Sequence, residues 1–369
     1  MTARALLIAG CVLAATPAAA QMATAERLQG TGWWPTKQTP RQDHVGPGAC
    51  VACHRQATTQ PSTSMALTGQ RAGDSEILRA ATSLTFRAAA HSYSITRSGG
   101  QSVYAVTNGE ESRSAPLAWA FGAGKVGQSF LFVRDGRIHE ARVSYYDTVR
   151  ALDFTPNRAL TAPRNLDEAM SRPVDESETR RCFGCHTTAS ASPAGGVDFA
   201  GLIPGVTCEA CHGPGRAHVT AIGAGRLKEG RAAIVNPKAL DAADSVDFCG
   251  SCHATFWDVK LAGERGVAAL RSQPHRLQSS RCWSQGDARL TCVACHDPHK
   301  PLVRESGAYD EKCLGCHAAA GPTPSASHPA RSCKVGTSNC SSCHMPKYEV
   351  PDMHFKFTDH LIRVVAPGR

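Results

Sequence analysis

Between residues 92 and 146 apolar and polar side chains alternate in short runs. Ser92-Tyr-Ser-Ile-Thr-Arg97 and Ser102-Val-Tyr-Ala-Val-Thr107 keep a two-residue period on either side of a Ser-Gly-Gly turn, which predicts neighbouring half-buried strands. Gln128-Ser-Phe-Leu-Phe-Val-Arg134 and the run from Arg137 to Tyr146 flank Asp135-Gly136, a strong signal for a two-residue hairpin. The stretch from about 71 to 165 therefore reads as a small antiparallel β unit. From about 166 onward the period is lost, and short helical pieces alternate with breaks such as Gly213-Pro-Gly215 and Asp297-Pro298. At the other end, Ala5 to Thr16 is apolar behind Arg4 and ahead of Ala18-Ala-Ala20, the pattern of an export signal over residues 1–20. Residues 21–45 are polar and loop-like. After residue 20 no run approaches the ~20 apolar residues of a membrane span.

Cysteine changes the picture. Of 17 cysteines, 14 fall into seven copies of one pattern. The first is Cys50-Val-Ala-Cys53-His54. Six more follow: Cys182-Phe-Gly-Cys185-His186, Cys208-Glu-Ala-Cys211-His212, Cys249-Gly-Ser-Cys252-His253, Cys292-Val-Ala-Cys295-His296, Cys313-Leu-Gly-Cys316-His317 and Cys340-Ser-Ser-Cys343-His344. C-x-x-C alone is compatible with a zinc knuckle, a redox dithiol or a disulfide. None of these requires His directly after the second Cys. C-x-x-C-H is the attachment site of c-type haem, with two thiols for the porphyrin vinyl groups and the adjacent His for the iron. The implied cofactor is haem c, seven times, covalently attached.

The domain organisation expected is an export signal over 1–20, an N-terminal segment with haem 1 over 21–70, the haemless β-rich insert over 71–165 and a hexahaem domain over 166–369. From Cys182 to the end there are roughly 31 residues for each haem, too few to build a side-chain core. Aromatic residues make up only 6% of the chain. Both observations predict a mostly α and irregular fold whose core is filled by haem, with the small antiparallel β insert near the N-terminus.

A formal charge of +9 invites a nucleic-acid or membrane-surface partner. Ionised haem propionates cancel most of it: seven ferric haems bring the total to roughly +2, before local shifts. Arg side chains then serve as propionate partners, and no nucleic-acid partner is expected. An exported chain lies in the periplasm or otherwise outside the cytoplasm, where haem c is attached. Ile8-Ala-Gly-Cys11 has the form of a lipid-attachment box, although only about six apolar residues precede it, against the usual ~7–15. Cys282 and Cys333 are the remaining cysteines, and in an oxidising compartment a disulfide between them is the default.

Beyond the seven motif histidines, nine others remain, enough to give each iron a second imidazole. His218 follows Gly-Pro-Gly, His299 follows Asp-Pro, His328 precedes a Pro, and His354 and His360 flank Phe-Lys-Phe-Thr-Asp; these five, with His275 and His91, are candidate distal ligands. A ligand a few residues from its motif rarely reaches the far face of the same ring, so each is expected to serve a neighbouring haem. His44 and His139 read as ordinary surface residues, and Met65 as a core residue rather than an axial ligand to haem 1. Irons with two protein ligands have no vacancy for substrate, which favours electron transfer over catalysis. There is no C-x-x-C-K variant, the form by which the pentahaem nitrite reductases attach their catalytic haem. The alternative is an oxidoreductase acting on a small nitrogen or sulfur compound at a five-coordinate haem, with haem 1 the first place to look.

The six-haem part resembles the multihaem cytochromes c related to the tetrahaem electron acceptor of hydroxylamine oxidation. The residues that carry the resemblance are Gly205-Val-Thr-Cys208-Glu-Ala-Cys211-His212-Gly-Pro-Gly-Arg-Ala-His218, Leu290-Thr-Cys292-Val-Ala-Cys295-His296-Asp-Pro-His299 and Cys340-Ser-Ser-Cys343-His344-Met-Pro. It implies that His218 is a distal ligand to another haem. Phe121-Gly-Ala-Gly-Lys-Val-Gly-Gln-Ser-Phe and Phe357-Thr-Asp-His360-Leu-Ile-Arg-Val-Val are similar to longer multihaem proteins with a C-terminal helical array. The resulting expectation is a heptahaem cytochrome that passes electrons along mostly bis-His haems between redox partner proteins, an electron-transfer protein rather than an enzyme.

Overall fold

The structure, a computed structural model, describes residues 41–158, 161–284, 289–317, 333 and 335–365. The export signal, Cys11 and His328 lie outside these described residues. Two antiparallel sheets occupy the region after the first motif. One runs β1 (Gly69–Arg71), β6 (Trp119–Phe121), β7 (Gly127–Arg134), β8 (Arg137–Tyr146) and β10 (Ser171–Pro173), with β9 (Ala151–Phe154) also paired to β8. The other is β2 (Ser83–Ala88), β3 (His91–Ser98), β4 (Gln101–Thr107) and β5 (Ser112–Pro116), in that order. The two alternating runs fall in β3 and β4, and the Asp135-Gly136 turn joins β7 to β8. The module spans residues 69–173, because β1 and β10 add an edge at each end of the stretch marked by alternation.

Tyr93 and Ile95 of β3 and Tyr104 and Val106 of β4 point to one side and meet Phe130, Phe132 and Val143 of the other sheet. That is the result expected of half-buried strands packed face to face. β8 differs: nearly all of it from Ile138 to Tyr146 is buried, polar residues included. Its two faces are both covered, which explains why His139 is buried rather than at the surface. The ring lies 5.6 Å from that of Phe132, and its Nδ1 pairs with Ser171 Oγ at 3.0 Å. Burial pushes its pKa down.

The remaining described chain is short helices and loops with two small two-stranded antiparallel sheets, Thr187–Thr188 with Ile203–Pro204 and Lys347–Val350 with Phe355–Thr358. Each motif sits on or directly after a helix: α1 (Pro47–Val51), α2 (Glu176–His186), α3 (Cys208–His212), α4 (Ala242–His253), α5 (Cys292–Cys295), α6 (Asp310–His317) and α7 (Cys340–His344). The longer two are capped by Asp175 and Asp241, whose side chains accept the N–H groups of Glu178 and Asp244. Both clusters of buried apolar residues lie in the β module and at its junction with α2, through Trp119, Leu131 and Phe183. Past Leu277, the buried apolar residue among those described is Val350. Among the described residues, the part after the module has no apolar cluster of its own to match the module's. Among the described residues no helix is long and apolar enough to cross a membrane.

Candidate haem-attachment sites

The sites are numbered 1 to 7 with their helices. Among the described residues, three motif histidines face a second histidine from another part of the chain. Ring centroids are 6.2 Å apart for His54 and His218, 6.1 Å for His212 and His299, and 6.2 Å for His296 and His360. An imidazole nitrogen lies about 2.0–2.1 Å from a transition metal such as zinc, with the ring centroid about 1.1 Å behind it, so two imidazoles across one metal have centroids about 6.3 Å apart. Simple ring pairs cover ~4.5–7 Å, so distance alone does not distinguish the two cases. The tautomers do.

His212 Nδ1 is 2.9 Å from the Val235 carbonyl, His218 Nδ1 2.8 Å from Gly230, His360 Nδ1 3.1 Å from Thr358 and His344 Nδ1 2.9 Å from Arg363. Each Nδ1 therefore carries the proton and donates it, leaving the Nε2 lone pair outward for a metal. These residues fit haem c.

Thiols from different sites also meet. Cys50 and Cys208, Cys249 and Cys292, and Cys313 and Cys340 are close enough to influence one another electrostatically. The Cys252 thiol donates to the Cys185 carbonyl at 3.5 Å, and the Cys185 thiol to that of Ser251 at 3.7 Å. Cys211 lies within electrostatic range of Cys249, and Cys295 within that of Cys316. Sites 1 and 3, 2 and 4, 3 and 4, 4 and 5, 5 and 6, and 6 and 7 are thus neighbours.

Two polar anchors tie distant segments to these helices. Glu209, inside the third motif and 1% exposed, accepts N–H groups from Val45, Gly46 and Gly215, each at 2.8 Å. It joins the entry to site 1 to site 3. Asp359, fully buried, accepts both Arg276 Nε and a terminal guanidinium nitrogen at 2.7 Å, Arg363 at 2.6 Å and the Leu361 N–H at 3.0 Å. Burial alone would raise its pKa, but the two guanidinium groups and the N–H outweigh that and hold it below the usual carboxylate value. Ser280 Oγ, bonded to the His360 carbonyl and the Ile362 N–H, is a second tether. Together they fix His360 opposite His296. A signal for Glu209 was available: it is the only charged residue inside any of the seven motifs.

Other expected ligands lie elsewhere. His354 Nε2 is 2.8 Å from Asp153 of β9, and the ring stands edge-on to Tyr146, so the β module draws it away from the motif histidines. His91 begins β3 and packs against Tyr93. His275 is 8% exposed on the helix Gln273–Gln278, tilted against Phe256; its Nδ1 has no hydrogen-bond partner among the described residues. His44 is buried, not on the surface. Met65 contributes its carbonyl, which accepts the Val206 N–H at 3.0 Å. No disulfide is formed among the described residues, so Cys282 and Cys333 are not joined. Cys333 is exposed, and the backbone N–H groups of Val335 and Gly336 at its sulfur lower its pKa.

Repeated C-x-x-C-H helices, on a fold of β module and short helices, have the attachment pattern of c-type haem. Residues 139–213 match the family model described as cytochrome c554 and c-prime. The fold is similar to the crystal structure of an outer cell wall cytochrome, OcwA, with a TM-score of 0.50, 16% identity, and coverage of 88% of this chain and 80% of that one. No curated protein matches the chain in sequence.

Proposed function

We propose that the chain is a seven-haem electron carrier working outside the cytoplasm, with one haem c at each C-x-x-C-H motif. Bound haem supplies one-electron exchange between ferric and ferrous iron. The observation that carries the reading is the set of three facing histidine pairs, each joining a motif histidine to one from a distant segment. His54 and His218 would hold the iron of site 1, His212 and His299 that of site 3, and His296 and His360 that of site 5. His275 is the candidate partner for a neighbouring iron on α4, against which its helix packs.

Contacts between motif thiols support the spatial order 1–3–4–5–6–7, with site 2 joining at site 4. A thioether is the edge of the porphyrin, so neighbouring thiols bring ring edges close enough for rapid electron exchange. Site 1, with His218 opposite His54, is a relay and not the place for substrate. The redox partners are proteins.

Two measurements test this. Intact mass of the mature protein gives an increase of about 4.3 kDa, one haem per motif. Exposure of the dithionite-reduced protein to CO leaves the Soret components of sites 1, 3 and 5 unshifted. A mass increase for fewer haems, or a CO shift across most of the band, overturns the reading.

A further inference from the structure

The β module carries no motif, yet it reaches one. Thr68, immediately before β1, presents two oxygens to a single atom: its carbonyl is 3.0 Å and its hydroxyl 2.9 Å from His186 Nδ1. The carbonyl is already engaged by the Gly122 N–H at 2.7 Å. Phe121, the last residue of β6, lies parallel to the His186 ring, 4.7 Å away and tilted by 4°. The approach depends on backbone-to-backbone contact, since a Cβ at Gly69 would stand 2.2 Å from the His186 carbonyl oxygen. Behind this layer, Phe183 of α2 packs edge-on against both Trp119 and Phe121.

At sites 3 and 7 the motif histidine meets one backbone carbonyl. At site 2 it meets a carbonyl and a hydroxyl from another module, and its ring is clamped. We propose that the β module tunes site 2: Thr68 and Phe121 hold the His186 imidazole and lower the midpoint potential of the haem it ligates. An Nδ1 proton shared between two oxygens leaves Nε2 richer in electrons, which favours ferric over ferrous iron. The parallel phenyl ring prevents rotation of the imidazole about its metal bond. Site 2, the branch at site 4, then differs in potential from the main line. The inference rests on haem attachment at site 2 with His186 as ligand.

Thr68→Val keeps shape and the backbone carbonyl and removes only the hydroxyl. In a spectroelectrochemical titration of the holoprotein, one of seven components moves up, its reduced-to-oxidised ratio at fixed potential rising about fivefold, the size of one hydrogen bond, which is about 40 mV for one electron. Thr68→Ser retains the wild-type potential. Phe121→Leu changes the electron paramagnetic resonance g-values of that same component. The proposal is overturned if Thr68→Val moves no component, or if Val and Ser move it equally, which marks a packing role. Intact mass separates the two failures: protein without seven haems refutes the attachment reading, and fully loaded protein with unmoved potentials refutes the tuning alone.

Discussion

Replacing Asp359 with Ala tests how the C-terminal strap serves site 5. The carboxylate is fully buried and accepts four hydrogen bonds, two of them from the Arg276 fork. Removing one partner of a buried ion pair costs about 3–5 kcal/mol, much of it from the charge left behind. Arg276, only 18% exposed in its side chain, is that charge. A loss of about 3 kcal/mol in the hold on the strap lowers the equilibrium constant for the bound position by roughly a hundredfold, and His360 leaves His296 for part of the time. The assay is CO binding to the reduced variant, where a Soret shift of about one-seventh of the band appears that the wild-type site 5 lacks, given one haem per motif. Asp359→Ala/Arg276→Met restores most of the wild-type response, because it removes the carboxylate and its more buried guanidinium, while Arg363, 31% exposed, keeps Tyr348 and water as partners. The reasoning fails if Asp359→Ala protein carrying all its haems binds no more CO than wild type. It also fails if the double variant is worse than the single one.

Glu209→Ala leaves three backbone donors without their carboxylate, and a loss of about 3 kcal/mol is expected from hydrogen bonds to a charged group. The urea midpoint falls with an unchanged slope, and the Val45 and Gly46 amides exchange faster; an unmoved midpoint contradicts the role assigned to Glu209. The junction of β10 and α2 is acid-sensitive through Glu178, whose carboxyl the Arg172 fork holds below its usual value against the opposing effect of burial. Because the folded-state value is depressed, the stabilisation is complete above the unfolded value of ~4.3 and is lost as pH falls through the folded one. Wild-type stability drops relative to Glu178→Gln by on the order of 1 kcal/mol on acidification below about pH 4; parallel pH profiles of the two proteins refute this.

Haem attachment is legible in the sequence because it is local covalent chemistry, written in five consecutive residues seven times over. The β3–β4 pair and the β7–β8 hairpin are legible for a similar reason, since alternation and an Asp-Gly turn act over a few residues. The tertiary structure alone decided the pairings. Thr68 and His186 are 118 positions apart, Val45 and Glu209 164, and neither pair leaves a local trace. His44 and His139 read as surface residues in the sequence, and only the tertiary structure buries them; the Asp153 partner of His354, 201 positions away, is equally invisible there. The contact of Phe121 with His186 likewise comes from the fold and not from any local pattern. A motif specifies which atoms bond to a haem, whereas the second ligand and the polar shell around it come from whatever segments the fold brings to the far side.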